Sequence, residues 1–163
     1  MNITLNRLQW VFIVAGLQLL LFSCAEKDET GPVEVRWDRV ICERCKMAVS
    51  DHYYSAQVRG APKEKRTKLY FFDDLGCAVL WLDKQDWKGN PRTEIWVNDF
   101  KTGDWIDAEE ALYELGKITP MDFGLGATLE SDQKTIDYKA SVDRIYKVRH
   151  RKMKEMKHKH PSM

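Results

Sequence analysis

The chain lacks an apolar run long enough to cross a bilayer. Its longest, residues 8–22, is broken by Gly16 and Gln18 and falls short of the roughly 20 residues that a spanning helix needs. With a single early cation, Arg7, ahead of it, the run reads instead as a signal peptide. A marked excess of charge of either sign is lacking too: 26 Lys and Arg face 25 Asp and Glu, a formal net charge of +1. Internal repeats are missing, and the chain beyond the leader is long enough for one compact domain or two very small ones. Cysteine is scarce. The four are Cys24, Cys42, Cys45 and Cys77, and with the first used as an anchor the odd remainder argues against a disulfide framework.

What is present starts with Leu21-Phe22-Ser23-Cys24, an apolar residue three before a cysteine and a small residue just before it. This looks like a bacterial lipoprotein cleavage box, with cleavage before Cys24 and acylation of its sulfur. Acidic residues with Gly31 and Pro32 come next and read as a tether. The expected division is a lipoprotein signal peptide at 1–23, a lipidated tether at 24–34, a first ββαβ unit at 35–100, a second, smaller α+β unit at 101–148 and a basic tail at 149–163. The near-neutral total hides an asymmetry: residues 144–160 hold eight Lys or Arg against one Glu, so the body is acidic and the end basic. A tail of that composition, bearing His150, Met153, Met156, His158 and His160, is expected to be solvated and frayed. The lipid anchor is expected to hold the chain outside the cytoplasm in the cell envelope, with an outer membrane facing the periplasm as the expected site. That location excludes nucleic acid as the partner of the basic run and leaves anionic headgroups as one.

Along the body, residues 33–40 alternate apolar and polar and predict a strand running into the cysteines, which then sit on a turn. Residues 53–59 and 69–72 predict a hairpin. Asp73 or Asp74 is the N-cap expected for a helix through Leu75, Val79, Leu80 and Leu82, ending near Lys84. Ile95-Trp96-Val97 predicts the strand that closes the ββαβ unit. Residues 105–107 lead into a short helix or turn over 108–113, residues 117–119 read as extended, and residues 123–127 as a tight segment where glycine permits close backbone approach. Residues 131–140 have helical character with Ser131 as a capping candidate. The fold class expected is α+β.

The chemistry concentrates in Cys42-Glu43-Arg44-Cys45-Lys46-Met47. Two cysteines at this spacing can place both thiolates on one ion, and Met47 adds a thioether from the same turn. Soft donors of this kind favour copper(I), and an open sulfur site leaves room for a recipient's ligand to attack. Three other readings stand beside it. A structural zinc site would need two more ligands, for which Cys77 and His52 are the body's candidates. A thiol-disulfide oxidoreductase would place the pair at a helix start. A Cys42–Cys45 disulfide would suit an oxidising compartment. Cys77, among Leu75, Val79 and Leu80, reads first as a small core hydrophobe. His52 could add a nitrogen.

In these motifs and their order the chain resembles a known family, the NosL accessory lipoproteins of nitrous oxide reductase. The likeness runs from the cleavage box to about Ile145. It rests on residues 42–47 followed by Ser50-Asp51-His52, on Tyr70-Phe71-Phe72-Asp73-Asp74-Leu75 with its continuation to Leu82, and on Ile95-Trp96-Val97-Asn98-Asp99-Phe100. Trp105-Ile106-Asp107-Ala108 with Ala111 and Tyr113, and Thr119-Pro120-Met121, complete it. The resemblance implies two small ββαβ-type units and a periplasmic copper(I) chaperone, not an enzyme, that delivers copper to nitrous oxide reductase or its maturation machinery. It also implies that Cys42, Cys45 and Met47 are metal ligands and that Met121 is the methionine of a Pro-Met ligand element. The chain departs from the family pattern where Lys46 stands in place of glycine and where Thr119-Pro120-Met121-Asp122 replaces Gly-Pro-Met-Gly.

Overall fold

The computed structural model describes residues 29–159. The expected signal peptide, Cys24 and its lipidation, the start of the tether and His160 lie outside the described residues.

The described chain is α+β, built of two small antiparallel sheets and two helices. Strand β1 (Ala56–Gly60) pairs with β2 (Lys68–Phe72) as the expected hairpin, with Ala56 opposite Phe72 and Val58 opposite Tyr70. Helix α1 (Leu75–Leu82) comes at once, capped by the Asp74 side chain. Strand β3 (Glu94–Asn98) then returns beside β1, which completes ββαβ, and β4 (Trp105–Asp107) adds to β3. The strand order is β2-β1-β3-β4. Period-2 alternation turns Ala56, Val58, Phe72, Ile95, Val97 and Ile106 to one buried face. Seven of the eight residues of α1 are buried, so this helix lies inside the molecule with packing on all sides. Each fully buried large apolar side chain there contributes about 1.5–3 kcal/mol.

The opposite face of the sheet carries Gln57 and Arg59, both buried. Their partners lie in the N-terminal segment: backbone groups and, for Arg59 Nη1, the Glu29 carboxylate at 3.4 Å. The Val33 N–H donates to Gln57 Oε1 at 3.0 Å, Gln57 Nε2 donates to the Val33 carbonyl at 2.8 Å, and Arg59 Nε donates to the Gly31 carbonyl at 3.1 Å. This corrects the strand expected at 33–40. A side-chain amide takes both backbone groups of Val33, so the segment lies across the sheet outside any ladder, and the alternation reflects the burial of Val35.

The second sheet has the order β6-β5-β7, from β5 (Leu112–Leu115), β6 (Leu125–Thr128) and β7 (Thr135–Ile136). Helix α2 (Tyr138–Lys159) comes last and buries Ser141, Ile145 and Val148 at helical spacing. In this half the helix follows the strands instead of lying between them. Residues 108–110 form a turn, and the chain extends at once into β5, where Tyr113 buries its ring and donates its hydroxyl to the Ala108 carbonyl at 2.7 Å. Residues 117–119 join no ladder. The helix expected over 131–140 is replaced by a turn and β7. Asp137, not Ser131, caps α2 by accepting from the Ala140 N–H at 2.7 Å. Residues 149–159, expected to fray, continue α2. The buried first half supplies the nucleus, and Lys, Arg and Met propagate it well. The halves meet where the Phe100 N–H donates to the Ala127 carbonyl at 2.8 Å. Gly126 permits that approach through the Phe100 ring, which an added Cβ would meet at 3.0 Å. Among the described residues no helix is long and apolar enough to cross a membrane.

Candidate metal centre

The cysteine loop is a miniature hairpin. Ile41 and Ala48 form an antiparallel bridge, the Cys42 N–H donates to the Met47 carbonyl at 2.8 Å, and the Lys46 N–H returns to the Cys42 carbonyl at 3.0 Å. Closing so tight a turn puts Lys46 in the left-handed region at φ 66°. The Glu43 N–H donates to the Phe71 carbonyl at 3.0 Å, which docks the turn on the end of β2. Cys42 is fully buried and Cys45 half-buried, so one sulfur faces inward and the other the surface.

The third sulfur arrives from α1. Cys77 occupies the helix's first turn, where its N–H donates to Asp74 Oδ1 at 2.9 Å. The sulfurs of Cys42, Cys45 and Cys77 all lie within 4.8 Å of one another, a cluster that could hold a metal ion. Cys77 is buried as the sequence suggested, yet it is also the residue that turns a pair into a triad. Gly76 sets the depth of this corner: a Cβ there would meet the Phe123 ring at 2.2 Å, so only glycine lets Phe123 close over the helix start. The buried Asp74 also accepts from Thr119 Oγ1 and from the Met121 N–H, both at 3.2 Å. One capping carboxylate thus fixes the helix bearing Cys77 and the loop bearing Met121.

The protons of the cluster are unevenly placed. Cys42 accepts from the Cys77 thiol and from the backbone N–H groups of Cys45 and Asp73; these outweigh burial and hold its thiol down at about 4. Cys45 is pushed up to about 12 by burial and by donating to Asp73 Oδ2, 2.7 Å away. Cys77 is raised because it donates to Cys42 and is itself buried. Asp73 rises to about 6, chiefly through burial, against the hydrogen bond from Cys45. The metal-free, reduced cluster is therefore one thiolate cradled by two thiols. Arg44 completes it, with Nη1 at 3.6 Å from Cys77 Sγ and its guanidinium over the Phe123 ring at 6.0 Å.

Met47 is exposed, and its N–H bonds the Cys45 sulfur, so it stands at the cluster's outer rim. His52 is not in the cluster: its ring stacks on Trp37 at 4.0 Å between centroids. Met121 lines a groove next to Arg44, together with Phe123, Met153 and Met156. Sequence reasoning had no means of joining Cys77 to the motif beyond counting ligands, since the contact is tertiary.

Three sulfurs within reach of one another, with no histidine among them and with Asp73 touching only the Cys45 sulfur, at 2.7 Å, make a soft donor set of low coordination number. Comparisons with family models, with curated proteins and with solved structures return no match for this chain.

Proposed function

We propose that the chain is an extracytoplasmic, lipid-anchored copper(I) metallochaperone that holds its ion on Cys42, Cys45 and Cys77, with Met47 at the mouth, and passes it on without catalysing a reaction. The observation that carries this reading is the triad itself, three thiol sulfurs within 4.8 Å with one of them open to the surface. A copper(I) ion on three thiolates carries net negative charge, and Arg44 beside Cys77 offsets it. Delivery requires access from one side. Cys45 and Met47 offer that side, and Ile41 on the same hairpin is exposed beside them as a surface for a recipient.

The recipient, nitrous oxide reductase or its maturation machinery, and the periplasmic setting come from the likeness to NosL proteins, and the outer-membrane anchorage from the lipoprotein cleavage box. Two features of the backbone support that likeness. Of the three positions where the family has glycine, Lys46 and Asp122 have φ of 66° and 55°, the region glycine enters without strain, whereas Thr119 is outside it. Two of the three departures in residue type thus leave the turn geometry of a glycine position in place.

A second reading, a structural zinc site, draws on Asp73, whose Oδ2 lies 2.7 Å from Cys45 Sγ and offers an oxygen on one flank of the triad. Anaerobic titration of the reduced full chain with copper(I) against a chelator of known affinity, in the presence of zinc, separates the two. Tight binding of one copper(I), lost in Cys42→Ser and weakened in Met47→Leu, is expected. Zinc that is retained and does not exchange for copper(I) would sink the chaperone reading.

A further inference from the structure

We propose that Met121, Met153 and Met156 form a second soft-metal site, a thioether station for copper(I) next to the thiol triad. The helical extension of α2 is the first observation. Over residues 149–159 its only apolar side chains are Met153 and Met156, both substantially exposed at 41% and 58%. Ordinary packing does not call for them, since the residues that α2 buries all precede this stretch. They share one face with Arg149 and Lys152, at the i, i+3, i+4, i+7 spacing of a helix stripe.

Met121 and Phe123 stand opposite that stripe, on the loop anchored to Asp74, and the two sides enclose a groove of about 300 Å³. Three of the seven residues lining it are thioethers. A space of this size exceeds a packing gap and has room for an ion with part of its hydration shell. Thioether sulfur prefers copper(I) to the harder biological cations. It carries no proton, so the ion enters without proton release.

The groove's cations set its rank below the triad. Lys152 is committed to Asp122 Oδ2 at 3.3 Å and to the Met121 carbonyl at 2.8 Å. Arg44 is turned toward Cys77. Arg149, the third cation on the lining, adds to their residual field, which weakens the hold on another cation and suits a station from which the ion moves on. Arg44 belongs to both places: it lines the groove and touches the triad, so the two sites share a wall.

The inference rests on the reading that the chain carries copper(I). Silver(I), a redox-inert ion of the same charge and softness, is the probe. It is added stepwise to the reduced full chain with methionine methyl groups labelled with carbon-13, while proton release is followed. The first equivalent is expected to fill the triad and leave the Met121, Met153 and Met156 methyl signals in place. The second moves those three together and releases no proton. In Met153→Leu/Met156→Leu, a volume-conserving change at exposed positions, affinity for the second ion falls at least about tenfold and the first step is unchanged. A second equivalent that leaves the three methyls unmoved, or that binds the variant as well as the parent, overturns the site. If the three methyls respond while the triad takes no ion, the thioether site stands and the chaperone reading falls.

Discussion

Cys77 shows how one side chain alters the chemistry of a site. The motif at 42–47 supplies two sulfurs on a turn; the third comes from the first turn of a helix far along the chain. Cys77→Ser keeps the volume and a hydrogen-bond donor to Cys42, so the fold is expected to survive. Copper(I) affinity should fall by about 100-fold or more, at least the upper end of what losing a ligand's supporting neighbour costs. Affinity in a chelator competition that matches the parent would remove Cys77 from the site. The protons of the triad make a second test at this scale. Cys42 has its folded pKa lowered from 9.0 to about 4, so its contribution to stability is full above 9 and is lost as pH falls toward 4. Asp73 has the opposite sign: raised from 3.8 to about 6, it contributes below 3.8, and that contribution is gone above about 6. Between pH 6 and 9 Cys42 acts without opposition from Asp73. The buried Asp74 is raised as well and works against that rise, so the test is a difference: in urea unfolding of the metal-free, reduced chain, stability should climb more steeply with pH over that window in the parent than in Cys42→Ser. Equal slopes in the two would contradict the assignment of the thiolate.

Among the elements, α1 organises the centre, because its capping carboxylate holds the sulfur-bearing first turn and the Met121 loop together. Gly76→Ala tests this. In an open helix position the change would gain about 1 kcal/mol. Here the Cβ meets the Phe123 ring at 2.2 Å, so overpacking of about 1–3 kcal/mol outweighs the gain. The variant should be less stable to denaturant and, with Phe123 displaced from Arg44, bind copper(I) more weakly. A more stable variant with unchanged affinity would show that the corner is not tightly set. The elements also divide by how far local pattern governs them. The hairpin β1–β2, a helix capped at Asp73 or Asp74 and β3 could all be read from spacing, because each depends on residues near in sequence; that Asp74 is the cap and that α1 is buried nearly all round came only with the fold. Residues 33–40 could not, since their partner is the Gln57 side chain and not a strand. Residues 131–140 look helical, yet Thr135 and Ile136 pair with Glu114 and Tyr113, a contact across the fold that overrides local preference.

At the scale of the whole molecule, the two sheets meet through Phe100 and Ala127, and the sulfur cluster sits where the end of β2, the start of α1 and the Met121 loop converge. The sequence alone marked Cys42, Cys45 and Met47, whose nearness is a property of the local chain. It could not assemble Cys77, Arg44 and Asp73 around them, nor separate His52, which lies five positions past Met47 in sequence but stacks on Trp37. Such a corner, buried on one flank and open on the other, suits an ion that is held and then released. Copper X-ray absorption of the anaerobically loaded full chain at one equivalent tests this most directly. The expected spectrum is that of copper(I) with a first shell of three sulfurs and no light-atom ligand, matching the triad. A first shell containing nitrogen or oxygen, or a chain that keeps zinc and takes up no copper(I), would contradict it.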